Sequence, residues 1–234
     1  MNKLKYTVQF QFLSLLKALA VFYIAIFSVT ALGVIVTGLT TGNAYSEMTN
    51  MLETNSIIFM SICGAVVFSK DHKFFIQNGF TRKLFFLSSM LSLLAISAFV
   101  ALIDTAIGQT LHAFLNYRSL FGSAYGYQNI FYNWLWLTLL YFALSSSLYM
   151  LVVLIKKLGV VGSIILGVAI VLTIITLLTS SFQLAYKTFR FIKMALGFMP
   201  DGTMNVFNPM LSFLIVSLVS SIISFPLVCT IEIK

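Results

Sequence analysis

The sequence predicts an all-α integral membrane protein with six transmembrane helices, and three observations support this class. The 234-residue chain is 60% hydrophobic and only 9% charged, with a mean hydropathy of +1.02. A water-soluble domain of this composition could not cover its apolar surface. Its apolar residues also form six runs that approach the ~20 residues needed to span a bilayer, and no polar stretch is long enough to fold separately. We therefore expect one transmembrane domain over residues 1–234.

The six apolar runs give the approximate bounds of the spans. They cover about residues 18–39, 54–69, 84–107, 130–155, 160–182 and 209–231. The first run is too long to be the core of a cleaved signal peptide and should remain as a span. The second is the weakest, because its roughly 16 residues barely cross a hydrocarbon core about 30 Å thick. If it fails to span, the membrane orientation of every later element inverts.

The placement of the basic residues predicts the orientation. They lie at the ends of apolar runs rather than in one patch, so the net charge of +8 indicates topology and not a nucleic-acid partner. Residues 42–53 are polar and contain no basic residue, as an outer loop should. Because Lys and Arg in short loops stay in the cytoplasm, both termini should be cytoplasmic. The inner side would hold Lys3, Lys5, Lys17, Lys70, Lys73, Arg82, Lys83, Lys156, Lys157 and Lys234, and the outer side Arg118, Lys187, Arg190 and Lys193.

The outer segment at residues 183–208 has an amphipathic pattern. Lys187, Arg190 and Lys193 recur every three residues among aromatic and aliphatic side chains. This spacing predicts a helix lying flat in the outer interface. An anchoring role is favoured over a role in gating a substrate.

The cytoplasmic loop at residues 69–83 is the most informative segment. It is charged, yet it contains three phenylalanines that need a burial partner. Gly79 allows a turn, and Thr81 can cap the helix that follows. A short helix that docks in a groove of another protein is favoured over a plain positive-inside anchor. The aromatic residues in question are Phe74, Phe75 and Phe80.

Residues 77–83, which read Gln-Asn-Gly-Phe-Thr-Arg-Lys, resemble the cytoplasmic loop of small permease subunits of type 2 ABC exporters from low-GC Gram-positive bacteria. In that family an Asn-Gly-x-Ser/Thr-Arg-Lys stretch commonly follows the coupling helix, which lies in a cleft of the ATPase subunit. The resemblance implies a permease in the bacterial plasma membrane, with this loop as its ATPase-docking site. That site would comprise Lys70, Asp71, His72, Lys73, Phe74, Phe75, Gln77, Asn78, Gly79, Thr81, Arg82 and Lys83.

The resemblance also implies the partners. An exporter of this family combines two six-helix permeases, identical or related, with cytoplasmic ATPases that bind ATP and Mg²⁺. This chain has no Walker sequence, so we expect it to be no enzyme and to hold no cofactor itself. Residues 1–17 mix apolar and basic side chains in a pattern that fits either a helix or a strand, and the resemblance favours an interfacial elbow helix. Apolar, aromatic walls favour a hydrophobic or amphipathic cargo, such as an antimicrobial or cytolytic peptide.

Two other functional classes stay open. A secondary transporter would normally need coupling-ion groups at mid-membrane, and Asp104, near an outer helix end, is the only acidic residue inside a predicted span. Asp104 could join Gln109 and His112 in a polar patch lining an outer cavity, although a wet helix end is the favoured interpretation. The second class is a sensor or immunity protein that binds a toxic peptide at its outer loops.

No metal or disulfide site is expected. His72 and His112 do not have the spacing of metal ligands. Cys63 and Cys229 both lie inside apolar runs, and we expect them to be buried packing residues.

Overall fold

The computed structural model is helical, as the composition predicts. It describes residues 3–41, 51–114, 119–126, 129–179 and 182–231. Within these ranges it has seven helices and no strand beyond an isolated bridge between Phe198 and Met204. The helices are α1 (Lys3–Thr41), α2 (Met51–Gln77), α3 (Arg82–Phe114), α4 (Leu120–Tyr125), α5 (Ile130–Thr179), α6 (Phe182–Ala195) and α7 (Phe207–Thr230).

Five helical segments in the described ranges are long and apolar enough to cross a membrane. They are Lys3–Val29, Leu52–Gln77, Arg82–Thr110, Ile130–Gly159 and Phe207–Thr230. The remaining predicted run, residues 160–182, is helical as far as Thr179 but is not one of these five. The membrane class is therefore supported, and a sixth span stays a prediction.

The elbow helix predicted for residues 1–17 is not a separate element. Helix α1 continues for 39 residues, because no glycine or proline interrupts its hydrogen-bond ladder before Gly33. Its first half packs on α3, where the Gln11 side chain bonds Ser89 (3.3 Å) and Ser92 (3.2 Å). The residues buried along this contact recur every fourth position, at Thr7, Gln11, Leu15 and Leu19.

Helix α5 is the centre of the bundle. It packs on α2, α3 and α7, while α1 lies against α3 and α2. Small residues line these contacts and let the helices approach closely, as in other membrane bundles. One close approach brings Gly64 of α2 against the backbone of Ser145 in α5. The buried serines of this core are Ser56, Ser88, Ser89, Ser92, Ser97, Ser145, Ser146, Ser217, Ser220 and Ser224.

Helix α5 joins two predicted spans, residues 130–155 and 160–182, without a loop between them. Only Gly159 departs from helical geometry there, with φ 70° and ψ −171°. A residue with a side chain is strained at this positive φ, whereas glycine adopts it freely. The chain therefore changes direction at one residue instead of through a loop.

One end of the bundle, here called the basic end, gathers the start of α1, the α2–α3 turn, the Lys156 region of α5 and the end of α7. The Arg82 guanidinium donates to the carbonyl oxygen of Cys229 (2.7 Å), and the Lys157 ammonium donates to Thr230 Oγ1 (2.8 Å). Cys63 is buried, as predicted, whereas Cys229 is half-buried.

The opposite end, here called the far end, holds the start of α2, α4, α6 and the starts of α5 and α7. Helix α4 begins at an N-cap in which Ser119 Oγ accepts the Gly122 N–H (2.9 Å). The Tyr125 hydroxyl donates to the Leu196 carbonyl oxygen (2.8 Å), and burial raises the pKa of Tyr125, so the donated proton is retained. Helix α6 forms where the amphipathic pattern predicts it, with Lys187, Arg190 and Lys193 exposed.

Candidate functional site

The turn between α2 and α3 has the geometry that its sequence predicts. Gly79 has φ 74°, the Phe80 N–H donates to the Phe75 carbonyl oxygen (3.1 Å), and the Gly79 N–H donates to that of Ile76 (3.1 Å). These two bonds form a Schellman motif that ends α2. Thr81 Oγ1 accepts the Leu84 N–H (3.3 Å), so the predicted cap of α3 is confirmed.

The helix expected before this turn is not a separate piece. Helix α2 continues from the membrane run through Gln77 without a break, so the candidate docking segment forms its last two turns. No glycine or proline occurs between Gly64 and Gln77 to interrupt it. Any force on this segment therefore acts directly on a membrane helix.

Three of the candidate docking residues face into the protein. Phe75 is 4% exposed, and its ring packs on Phe10 (5.7 Å between centroids), Phe80 (5.2 Å) and Phe85 (6.0 Å). Asp71 and His72 are also buried. A helix in this position has an inner face, which the sequence of the loop alone could not reveal. These three side chains cannot contact a partner without rearrangement.

The other docking residues remain on the surface around Phe74, which is 53% exposed. Phe74 stacks on Phe10 (6.0 Å between centroids) beside a groove of about 750 Å³. Arg82 is half-buried, and the side chain of Lys70 lies outside the described part. The exposed candidates are Lys73, Phe74, Gln77, Asn78, Gly79, Thr81 and Lys83, and the groove is lined by Tyr6, Thr7, Gln9, Phe10, Leu13, Phe74, Phe75, Asn78 and Phe80.

Positive charge surrounds this groove. Lys3 lies 5.8 Å from the Phe80 ring, and Lys73 and Lys83 flank the turn. Asp71 is the one acidic residue that the structure describes at the basic end, and it is buried. The exposed surface therefore combines aromatic contact area with an excess of positive charge.

A second site at the far end centres on Asp104, which is fully buried. The Tyr23 hydroxyl donates to Asp104 Oδ1 (2.6 Å), and the Tyr141 hydroxyl donates to Oδ2 (2.6 Å). The interpretation of Asp104 as a wet helix end is therefore wrong, because α1 and α5 enclose it on either side. Each oxygen of this buried carboxyl group therefore accepts a hydrogen bond from a tyrosine hydroxyl.

Glu53 is the residue that sequence reasoning missed. It was expected in an outer loop, but it lies in the first turn of α2 and is fully buried. Its Oε2 accepts the backbone N–H of Leu120 at the start of α4. An acidic residue in a first helical turn is a recognisable signal, but its burial depends on where α4 packs.

Of the possible polar patch of Asp104, Gln109 and His112, the structure places Gln109 apart from Asp104. Gln109 is exposed and lines a different cavity, of about 820 Å³, while the side chain of His112 lies outside the described part. This cavity lies between α3 and α5 and is mostly apolar. Its lining residues are Leu102, Thr105, Ala106, Gln109, Asn129, Ile130, Phe131 and Trp134.

Several buried polar atoms at the far end have no hydrogen-bond partner among the described residues. Buried polar groups in proteins are nearly always hydrogen-bonded, so a concentration of exceptions indicates a site for a small ligand or water. The described ranges contain no metal site built from three or more His, Cys, Asp and Glu side chains. The unpartnered atoms are Glu53 Oε1, Ser56 Oγ, Thr105 Oγ1, Asn133 Oδ1 and Trp136 Nε1.

No protein-family model matches the chain. No curated protein and no solved structure matches it either.

Proposed function

We propose that this chain is the transmembrane permease subunit of an ATP-driven ABC exporter. The observation that supports the proposal best is the exposed ring of Phe74, beside an aromatic groove at the α2–α3 turn. Polar and charged side chains, including Lys73, Gln77 and Asn78, surround this ring, so the segment belongs in water. A large aromatic side chain exposed to water next to a groove is typical of a protein-binding surface.

The partner expected at this surface is an ATPase subunit, as the loop resemblance suggests. Its complementary feature would be a cleft with an apolar floor for Phe74 and an acidic rim for Lys73 and Lys83. In this proposal the basic end faces the cytoplasm, with both termini on that side. Residues 160–182 form the sixth span, and the start of α1 lies at the cytoplasmic face.

The packing around the turn supports a role in transmitting movement. Phe75 fixes the end of α2 in an aromatic cluster with Phe85 of α3, and Arg82 joins α3 to α7 through the Cys229 carbonyl. A displacement of the docked Phe74 would therefore move three membrane helices together. Coupled rigid shifts of this kind are a common basis for switching between two states.

A second permease, identical or related, would complete the conduit. Large aliphatic side chains on α1 and on the last part of α5 are exposed in the single chain. Membrane lipid and a second permease are the surroundings expected for them. Examples are Val21, Ile24, Val29, Val161, Ile164 and Ile165.

The cargo is proposed to be a hydrophobic or amphipathic peptide. The cavity between α3 and α5 has mostly apolar walls, and its lining also includes the polar side chains of Gln109 and Asn129. Ligand sites of this composition bind largely apolar molecules and use a few polar groups to orient them.

A pull-down with Phe74→Ala tests the proposal. The wild-type chain, expressed in a Gram-positive host and extracted in mild detergent, is expected to recover an ABC ATPase, identified by mass spectrometry. Removing an aromatic side chain at the centre of an interface commonly costs about 2 kcal/mol or more, so Phe74→Ala should reduce recovery at least about tenfold.

The matched control is Phe191→Ala, since Phe191 is 71% exposed but lies on α6 at the far end. It should recover as much ATPase as the wild type. Equal recovery with Phe74→Ala would place the docking surface elsewhere. Absence of any ATPase from the wild-type sample would contradict the exporter proposal and favour a sensor or immunity protein that binds its peptide at the outer loops.

A further inference from the structure

We propose that the buried cluster of Asp104, Glu53 and Ser56 is a binding site for a small monovalent cation, with Na⁺ as the ion that fits its chemistry. Four helices contribute to the cluster. Tyr23 belongs to α1, Glu53 and Ser56 to α2, Asp104 to α3 and Tyr141 to α5. This site lies at the far end and is independent of any partner bound at the basic end.

The charge of the cluster favours a bound cation. Glu53 and Asp104 are both fully buried and lie within electrostatic range of each other. The contacts of Asp104 are two tyrosine hydroxyls, and that of Glu53 is a backbone N–H, so neither carboxyl has a basic partner among the described residues. Two buried carboxyl groups without a counter-charge are costly in a low-dielectric interior, and a bound cation removes that cost.

Two oxygen atoms of the cluster have no hydrogen-bond partner among the described residues. Glu53 Oε1 and Ser56 Oγ are unpaired, and both side chains are fully buried. Ser56 lies one helical turn after Glu53 in α2 and close to Asp104 and Tyr23, so its side chain belongs to the same buried cluster. Buried hydroxyl and carboxyl oxygens pointing into one cluster are the ligands that hard cations prefer.

A bound proton satisfies these atoms less well than a metal ion does. A proton on Glu53 Oε1 would need an acceptor within hydrogen-bond distance, and none is present among the described residues. A metal ion instead contacts several oxygens at once, each at about 2.3–2.6 Å in calcium sites. Oxygen atoms that coordinate the same ion do not have to lie within hydrogen-bond distance of each other.

The cluster favours a single positive charge. The hydroxyls of Tyr23 and Tyr141 both donate to Asp104 and stabilise its negative charge, so the uncompensated charge resides mainly on Glu53. One monovalent ion neutralises it. A divalent ion would carry more positive charge than this one uncompensated carboxylate neutralises.

Thermal unfolding of the purified full-length chain in detergent tests this inference. The melting temperature is measured at pH 7.5 in NaCl and in choline chloride at equal ionic strength. At a Na⁺ concentration about ten times its Kd, the melting temperature should be about 3–6 °C higher than in choline chloride. Equilibrium dialysis with ²²Na⁺ should give one ion per chain.

Variants locate the site. Glu53→Gln should abolish the sodium-dependent shift. Ser56→Ala, which changes no charge, should raise the Na⁺ concentration needed for a half-maximal shift about tenfold. If Glu53→Gln does not fold, Ser56→Ala by itself tests whether the cluster binds Na⁺. Asp201→Asn alters an exposed carboxyl group in the turn between α6 and α7 and should behave as the wild type.

Two results would overturn the inference. One is a wild-type melting temperature that is the same in NaCl and choline chloride from pH 5.5 to 8.5. The other is a melting temperature that changes with pH alone, which would mean that the cluster of Glu53, Asp104, Tyr23 and Tyr141 takes up a proton instead.

Discussion

Gly64→Ala is expected to lower the stability of this protein strongly, although it adds only one methyl group. A Cβ atom at position 64 would lie 2.0 Å from the carbonyl oxygen of Ser145 and 2.8 Å from its Cα. The obstacle is backbone, so no side-chain rotation can relieve it. Helix α5 cannot move away freely either, because it also packs on α3 and α7.

The expected cost is about 3 kcal/mol, at the upper end of overpacking penalties, which corresponds to a melting temperature lower by about 6–12 °C. Differential scanning fluorimetry in detergent, combined with size-exclusion chromatography, would measure it. Separation of α2 from α5 would also disturb the contact between Phe68 and Tyr149, whose rings lie 5.5 Å apart.

The matched control is Gly167→Ala. Gly167 is also a helical glycine, but a Cβ atom there would meet nothing within 4 Å. Alanine is the better helix former, so this variant should be at least as stable as the wild type. If Gly64→Ala melted at the same temperature as Gly167→Ala, the close contact between α2 and α5 would be wrong.

Asp104→Ala should have the second large effect. It would leave the hydroxyls of Tyr23 and Tyr141 without their acceptor inside the bundle. Each buried hydroxyl left unpaired costs about 1–3 kcal/mol, so a total of about 4 kcal/mol is expected. The measurement is unfolding in choline chloride without Na⁺, which separates the loss of these hydrogen bonds from the loss of a bound ion.

Conservative variants test the mechanism of this effect. Asp104→Asn keeps one carbonyl acceptor and should cost clearly less than Asp104→Ala. Adding Tyr23→Phe and Tyr141→Phe to Asp104→Ala removes the unpaired hydroxyls and should recover part of the stability. Asp201→Ala, at an exposed position, should change stability by no more than about 0.5 kcal/mol. A triple variant less stable than Asp104→Ala alone would show that packing, and not unpaired hydroxyls, sets the cost.

Local features of the chain were predictable because their causes are local. The apolar runs determine that the chain forms membrane-length helices, and Gly79 and Thr81 determine how α2 ends and α3 begins. The threefold spacing of Lys187, Arg190 and Lys193 determines the amphipathic helix α6. In each case the free-energy preference arises within a few residues of sequence.

Only the tertiary structure decided which of these residues face inwards. Phe74 and Phe75 are adjacent residues of the same type. Phe75 is nevertheless enclosed by α1 and α3, while Phe74 remains exposed. Glu53 and Asp104 lie far apart in the chain and become neighbours because α2 and α3 pack together near α5. Burial depends on contacts between helices distant in sequence, so the amino-acid order alone determined the helices and the membrane class, and the packing of the helices decided the sites.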